Sequence, residues 1–371
     1  MTISRIYLLL IGIAVSSSVL GQFRKYSNEF LNIGAGARGL AMGSAQVATV
    51  SDGTAGYWNP AGLVGVIDHP NVNLMHAEYF SQIGKFDYAS IAFPMANNKR
   101  TLGISALRFA VDDIPNTLFL VEPDGTVNYN NVTSFSSADY AFIVSLAQKL
   151  KDKGNKNVHF GVNAKIIHRN VGHFAKAWGF GIDAGLQIIE NKWRFGIVGR
   201  DITSTFNAWT FNFTDKEKEV LYLTNNEIPV KSTELTAPRL VVGAAREFIL
   251  SNKINLVAEG SMDITFDGKR NTVLSTNPVS IDPQLGVEAN INHVFYLRGG
   301  IKNFQKGLDD GDTLNQKKVW LYQPSVGAGF RISNVTIDYA FSNLTNQGEP
   351  LFTHVFSLKL DMVHDKNKKK K

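Results

Sequence analysis

The stretch Trp178-Gly-Phe-Gly-Ile-Asp-Ala-Gly-Leu-Gln-Ile188 decides the fold of this chain. Large apolar side chains recur at every second position from Trp178 onward, with one interruption at Ala184. Glycine or polar residues such as Asp183 and Gln187 lie between them. Period two is the period of a β-strand with two different faces. The stretch therefore predicts a strand with one apolar face and one polar face.

The same alternation continues along the chain after Asn71 and predicts an all-β protein. It defines about fourteen strands, at residues 72–80, 84–95, 100–111, 135–149, 157–170, 175–189, 192–202, 238–249, 252–264, 281–291, 293–304, 318–331, 333–343 and 352–363. They exceed the roughly 5 or 6 residues common in soluble sheets and suit the roughly 9–11 that span a bilayer when tilted. Aromatic residues near the strand ends resemble an aromatic girdle.

The gaps between these strands sort by length. Short gaps follow the even-numbered strands, and the long ones, 112–134, 203–237, 265–280 and 305–317, all follow odd-numbered strands. Outer-membrane barrels have short periplasmic turns and long extracellular loops. A soluble secreted β-protein would also alternate, but the sorted loops favour a transmembrane antiparallel barrel over residues 71–363. Both termini are then expected in the periplasm.

Residues Leu31–Leu63 match neither a regular helix nor a regular strand. They are rich in glycine and alanine, and their only charged residues are Arg38 and Asp52. A fourteen-strand barrel is wide enough to need filling, and irregular backbone is tolerated at membrane depth when protein surrounds it. We expect residues 22–70 to form a luminal hatch, hydrogen-bonded by the inward charged set Asp183, Lys165, Arg169, Arg194, Arg200, Glu259, Asp263, Glu288 and Arg298.

The chain ends suggest export. Residues 1–21 match a secretory signal, with Arg5 before the apolar core Ile6–Val15 and Gly21 at the cleavage site. Residues 364–371 form a basic tail, which we expect to be solvated in the periplasm. The net charge is +6. The sequence has no basic stripe with interleaved aromatic residues, so nucleic acid is not expected as a partner. The sequence contains no cysteine.

Motifs with chemical meaning do not point to an enzyme. Gly34-Ala-Gly-Ala-Arg-Gly39 matches G-x-G-x-x-G, but a dinucleotide site would need a preceding strand, a following helix and an acid about 20 residues on. The histidines have no metal-ligand spacing, and a G-x-S-x-G nucleophile motif is missing. We predict no catalytic residue, no cofactor and no metal.

The run Gly36-Ala-Arg-Gly-Leu-Ala-Met-Gly-Ser-Ala45, followed by Trp58-Asn-Pro-Ala-Gly-Leu63 and the strand series, resembles the PorV/PorQ family of outer-membrane proteins. That family is similar to the FadL fatty-acid channels, whose fourteen-strand barrels contain an N-terminal hatch with an Asn-Pro-Ala motif. The resemblance implies that Asn59, Pro60 and Ala61, with Arg38, belong to such a hatch.

Two functions follow as expectations. The resemblance implies an accessory protein of the type IX secretion system, which binds a translocon subunit or cargo bearing a C-terminal signal through its extracellular loops. The alternative is a FadL-like transporter of hydrophobic small molecules. Loop 203–237 contains the candidate partner contacts Trp209, Phe211, Phe213 and Tyr222. It either folds over the barrel mouth or presents apolar surface to a partner. Outer-membrane lipid is the other expected partner.

Overall fold

The computed structural model describes residues 27–80, 82–309, 316–342 and 352–363. The strands in chain order are β1 (Asn71–Tyr79), β2 (Gly84–Met95), β3 (Arg100–Asn116), β4 (Thr133–Lys153), β5 (Lys156–Val171), β6 (Ala175–Glu190), β7 (Trp193–Arg200), β8 (Phe206–Phe211), β9 (Ser232–Leu235), β10 (Arg239–Ser251), β11 (Ile254–Thr265), β12 (Leu274–Ser275), β13 (Ser280–Ile291), β14 (Phe295–Leu308), β15 (Lys318–Ile332), β16 (Val335–Ser342) and β17 (Thr353–Asp361). The predicted signal peptide and basic tail lie outside the described residues.

The strands close into an antiparallel barrel. Each wall strand pairs with its neighbours in chain order, β7 pairs with β10, and β11 pairs with β13. β1 closes the circle by pairing with β17, in a register that sets Asn71 opposite Asp361. Within the described residues, fourteen strands form the wall, and β8, β9 and β12 are short strands in the connections. The predicted fourteen-strand barrel is confirmed.

The two faces of the wall follow the period-two prediction. Along β6, Trp178 and Phe180 point outward and remain 55% and 41% exposed, whereas Asp183 and Gln187 point inward and are buried. Large apolar side chains share the outward face around the wall: Leu74, Ile104, Phe142, Ile166, Phe195, Val287, Leu297, Val326, Ile337 and Phe356. Such a surface suits the apolar interior of a lipid bilayer.

The barrel has a short-turn end and a long-loop end. Short turns such as 96–99 and 191–192 join even-numbered wall strands to the next. The longer connections at the opposite end include 117–132, 201–238 and 266–279. Because Asn71 and Asp361 are paired, β1 begins and β17 ends at the short-turn end.

Several boundaries of the sequence prediction were wrong. Residues 112–116 and 133–134 were assigned to a loop, yet they extend β3 and β4. The extension continues beyond a register shift after Val111, which breaks the strict alternation and so conceals the strand in the sequence. Connection 201–238 contains β8, β9 and a helix at Asp215–Leu223, none of which was predicted.

Candidate functional site in the barrel lumen

The luminal segment, residues 27–66, lies inside the barrel. Its ordered pieces are a 3-10 turn at Glu29–Asn32, helix α1 (Ala37–Ala41), helix α2 (Ala55–Trp58) and a 3-10 turn at Pro60–Gly65. The helix of connection 201–238, Asp215–Leu223, is α3. Residues of the luminal segment contact inward-facing groups of strands on opposite sides of the wall, among them β1, β6 and β15. No regular element was predicted there, because each piece is only four to six residues long.

Two glycines allow the sharp turns around α1. Gly36, which precedes the helix, has a φ of 83°, and Gly43, which follows it, has a φ of 61°. Residues with a Cβ adopt such angles at a cost. A Cβ at Gly43 would also lie 2.6 Å from the backbone nitrogen of Ile301 in β14. This glycine therefore lets the segment approach the wall.

The family motif Asn59-Pro60-Ala61 forms a buried junction. The Asn59 side chain accepts a hydrogen bond from the Ala61 N–H at 3.1 Å. It donates to the carbonyl oxygens of Val47, at 2.9 Å, and of Leu186 in β6, at 3.1 Å. Pro60 begins the 3-10 turn, where a missing N–H costs little. The motif thus joins two parts of the luminal segment to the wall.

The luminal segment packs against an apolar side of the wall, formed mainly by β1–β4. The inward side chains that define the apolar side are Met75, Tyr79, Phe86, Tyr88, Leu107, Ile143, Ile167 and Val355. Trp58 is 5% exposed and meets the Tyr57 ring edge-on, with centroids 4.9 Å apart. Its indole N–H donates to the Ala35 carbonyl at 2.7 Å. This contact is a dry core.

The opposite, polar side of the wall is defined by inward side chains of β6, β7, β11, β13 and β14: Asp183, Gln187, Arg200, Glu259, Asp263, Asp282, Glu288, Arg298 and Lys302. Arg38 of α1 forms a bidentate pair with Glu288, at 2.9 and 3.0 Å. Glu288 also accepts from Arg298 at 2.6 Å, and Arg298 continues to Asp338 at 2.6 Å. This buried network attaches α1 to three wall strands.

Glu259 holds the turn that follows α1. Its carboxylate accepts from the Ala48 N–H at 2.7 Å and from the Thr49 hydroxyl at 2.5 Å. Gln187 donates to the carbonyl oxygens of Ala48 and Val50 at 2.9 and 3.0 Å. Residues 48–50 are thus held by two wall side chains through directional hydrogen bonds.

A cavity of about 550 Å³ opens between this turn and the long-loop end. Its lining includes strand-end residues of the polar side and loop residues, among them Arg200, Arg239, Arg270, Lys302, Glu29, Asp263 and Asp282. Aromatic and aliphatic groups of Tyr57, Trp58, Phe80 and Val47 contribute the rest. The volume lies in the range of small-molecule sites, about 300–1,000 Å³.

A second pocket of about 220 Å³ lies toward the short-turn end. Arg194, Glu247 and Asn290, which neighbour the short turns, line it together with Arg38 and Thr49. Ser44 and Val47 line the first cavity, whereas Thr49 and Ser51 line the second. The strip Met42–Val50 therefore separates two polar chambers inside one barrel.

Most of the inward charged residues expected from the sequence meet in these networks, whereas Arg200 bonds to the Tyr57 carbonyl. Lys165 bridges Asp183 and Asp201 at 2.7 and 2.5 Å, while Asn163 donates to the Gly56 carbonyl at 2.8 Å. Asp282 and Lys302 were not singled out from the sequence. The signal was present, because they share the inward register of Glu288 and Arg298 on β13 and β14.

The candidate loop residues divide into two groups. Trp209, Phe211 and Phe213 are half-buried; the Trp209 indole donates to Glu234 at 2.9 Å, and the three rings form a stacked row. Tyr222 at the end of α3 is 76% exposed. Thus β8, which carries Trp209 and Phe211, pairs with β6 and continues the wall at the long-loop end, whereas the end of α3 presents apolar surface. Whether any of them contacts a partner stays a prediction.

Helix α3 is fixed by a capping box. Thr214 Oγ accepts from the Glu217 N–H at 3.3 Å, and Glu217 accepts from the Thr214 N–H at 2.7 Å. Glu217 also lies 2.7 Å from His173 Nε2. Burial would raise the pKa of the Glu217 carboxyl, but its hydrogen bonds with Thr214 and His173 hold that pKa below its ordinary value.

Two negative findings apply to the described part of the chain. It holds no group of three or more His, Asp or Glu side chains arranged for a metal ion. Its helices are all too short or too polar to cross a membrane.

The fold is similar to that of solved channels and transporters. The CymD monoaromatic hydrocarbon channel matches with a TM-score of 0.52 and 14% identity, over 90% of this chain and 98% of that one. The Ralstonia pickettii toluene transporter TbuX gives 0.51 and 14%, over 88% and 98%. The Pseudomonas putida toluene transporter TodX gives 0.50 and 12%, over 88% and 98%.

No protein-family model and no curated protein matches the sequence. At identities of 12–14% the structural likeness defines the fold alone. The chain therefore has the architecture of the FadL-like barrels.

Proposed function

We propose that this protein is an outer-membrane transporter of small organic molecules, with its long-loop end outside the cell and both termini in the periplasm. The observation that carries the proposal is the pair of chambers separated by Met42–Val50. A solute enters the 550 Å³ cavity from the long-loop end. It passes when the strip moves, and outer-membrane lipid surrounds the apolar outward face. Similar barrels that are hydrocarbon channels and toluene transporters support this class of function.

The luminal segment acts as the hatch in this proposal. Its contacts with the apolar side provide a stable base. Residues 42–50 are held mainly by directional hydrogen bonds to Glu259, Gln187 and Ser325, and Val47 packs with Val198 and Val241 in a small buried cluster. Hydrogen bonds contribute about 1 kcal/mol each, or about 1.5–3 when one partner is charged. A strip held mainly by such bonds can open while the rest of the segment stays packed.

A disulfide lock tests the proposal. Val47, within the strip, lies in one buried cluster with Val241 of β10. Since the sequence has no cysteine, Val47→Cys with Val241→Cys introduces one specific pair between the strip and the wall. In liposomes, the oxidised variant should lose solute flux and regain it on reduction, with each single cysteine variant as control. Flux that is identical in the oxidised and reduced forms would contradict a moving hatch.

A second candidate function is the accessory role in type IX secretion. The exposed apolar tip of loop 201–238 favours it: Tyr222, Leu223 and Val230 are 76%, 72% and 76% exposed. In this proposal the tip contacts a translocon subunit or secreted cargo. Tyr222→Ser with Leu223→Ser should reduce co-purification of such proteins from native membranes. The control Lys216→Ser with Lys218→Ser changes the same helix without removing apolar surface. Equal capture by both variants would reject the loop as the contact.

A further inference from the structure

The charged groups of the large cavity do not all pair with each other. Arg239 pairs with Asp263 at 2.9 Å, and Arg270 pairs with Asp267 at 2.5 Å and with Glu29 at 3.7 Å. Among the described residues, Arg200, Lys302 and Asp282 have no oppositely charged group within 4 Å. Two cations and one carboxylate therefore line one cavity without an ion pair, although Lys302 and Asp282 are near enough to interact electrostatically.

The two cations are also poor in hydrogen bonds. Arg200 makes one long bond of 3.4 Å to the Tyr57 carbonyl, and its guanidinium lies 5.2 Å from the centre of the Tyr57 ring. Its Nε is buried without a partner. Lys302 donates to Ser44 Oγ at 3.1 Å, although an ammonium has three donors. Bonding capacity for an anion is thus left over at both residues.

Asp282 supplies the opposite charge. One of its carboxylate oxygens, Oδ1, is buried without a hydrogen-bond partner. A carboxylate that is removed from water and left unpaired is costly. Asp282 lines the same cavity as Arg200 and Lys302, so the lining offers groups of both signs to a bound molecule.

The remaining lining is suited to an apolar substituent. Tyr57, Trp58 and Phe80 provide aromatic surface, and Val47 and Val241 provide aliphatic surface. An uncharged hydrocarbon would bury this surface but would leave the three charged groups unpaired. A site with such polar groups strongly rejects a ligand that lacks the matching groups, because its own buried groups are then left unpaired.

We propose that the cavity binds a small zwitterion with an apolar side chain, as free amino acids and short peptides are. Its carboxylate pairs with Arg200 and Lys302, and its ammonium pairs with Asp282. The apolar side chain lies against Tyr57, Trp58 and Phe80. The inference deepens the proposed transport function, on which it rests for its biological meaning, by naming the class of solute.

Calorimetric titration of the detergent-purified full-length protein tests the site. The probes share one aromatic ring: L-phenylalanine, phenylacetate without the ammonium, phenethylamine without the carboxylate, and uncharged 2-phenylethanol. Phenylalanine should bind at least about tenfold more tightly than any of the other three, since a hydrogen bond to a charged group contributes about 1.5–3 kcal/mol. Equal binding of phenylalanine and phenylethanol, or no binding of phenylalanine, would overturn the proposal.

Three variants assign the groups. Arg200→Gln and Lys302→Gln should each weaken the binding of phenylalanine and of phenylacetate about tenfold. Asp282→Asn should weaken the binding of phenylalanine about tenfold and leave the binding of phenylacetate unchanged. A general loss of structure would weaken the binding of both probes. Lys359→Gln is the matched control, because Lys359 is paired with Asp52 and lies outside this cavity. Unchanged phenylalanine binding in all three variants would reject the assignment.

The titration separates the two proposals. Binding of phenylalanine without flux through the reconstituted barrel retains the site and rejects the transporter. Flux of phenylethanol without phenylalanine binding retains the transporter and rejects the zwitterion.

Discussion

The apolar and polar sides of the lumen hold the same segment in different ways. On the apolar side, Trp58 and Leu63 are buried in a dry core with Leu107 and Ile143. On the polar side, the segment is held by discrete bonds to Glu259 and Glu288, with a cavity beside them. Apolar packing is non-directional and proportional to area, whereas a hydrogen bond is lost when its geometry changes.

This difference indicates which part of the segment can move. Separating the apolar contacts would expose a large area to water at about 25 cal/mol per Å². Separating the polar contacts exchanges their hydrogen bonds for hydrogen bonds with water, at about 1.5–3 kcal/mol for each bond to a carboxylate. The hinge should therefore lie on the apolar side and the moving strip on the polar side.

Trp58→Ala is the change with the largest expected effect. It leaves a cavity in the dry core and removes the bond to the Ala35 carbonyl, so the free energy that opens the luminal segment should fall by about 3–5 kcal/mol. Amide hydrogen exchange of residues 37–41 measures this free energy. Trp178→Ala, which removes an outward tryptophan, is the matched control. A similar loss in both variants would show that the apolar side does not anchor the segment.

Asn59→Ala should come next. The substitution leaves the Val47 and Leu186 carbonyls and the Ala61 N–H without their partner inside a buried junction. We expect a loss of about 2–3 kcal/mol, measured by exchange of the Ala61 and Val50 amides.

The control for this change is Asn290→Ala. It removes the hydrogen bond, 2.9 Å long, that Asn290 accepts from the His293 N–H in an exposed turn. If Asn59→Ala has no larger effect than Asn290→Ala, the Asn-Pro-Ala motif does not join the two sides of the lumen.

Glu259→Gln tests the polar side alone. Glutamine retains the shape but loses the charge that accepts from Ala48 and Thr49. Opening of the strip should become easier by about 1.5 kcal/mol, so flux through the reconstituted barrel should rise about tenfold. Glu190→Gln, at a half-exposed wall pair with Lys156, should leave flux unchanged. Reduced or unchanged flux in Glu259→Gln would place the moving part elsewhere.

The sequence predicted the wall better than the lumen. The alternation of apolar and polar residues can be seen in the local sequence. The pattern around Trp178 and Phe180 therefore predicted both ends of β6 to within one residue. The apolar side was harder, because Tyr79, Phe86 and Tyr88 point inward, whereas the charged residues Glu78, Lys85 and Asp87 beside them point outward. The usual assignment of apolar residues to the outward face is therefore reversed in parts of the first strands.

The candidate site could be predicted only in part. Glu259 and Glu288 were expected to face the lumen, but their partners Ala48 and Arg38 are about 210 and 250 residues away. Such pairings depend on how the segment folds inside the closed barrel. The cavity could not be predicted either, because it is the volume that the segment leaves unfilled.

The smallest expected effect concerns the barrel mouth, where directional bonds again hold a movable part. The folded pKa of Glu217 lies below its ordinary value, so its charged form stabilises the docking of α3 at pH above about 4.3, the ordinary glutamate value. This stabilisation is lost as the pH falls through the lower, folded pKa. Proteolysis of residues 215–231 should therefore accelerate on acidification below that value.

Glu217→Gln removes the titrating group and half of the capping box, at a cost of about 1 kcal/mol. The variant should be cleaved faster than the native loop at neutral pH, and its cleavage should change less between pH 6 and acid. Glu219→Gln alters an exposed carboxylate of the same helix and should preserve the native profile. If all three proteins share one pH profile, Glu217 does not hold the loop, and the contrast between packed and hydrogen-bonded regions stops at the lumen.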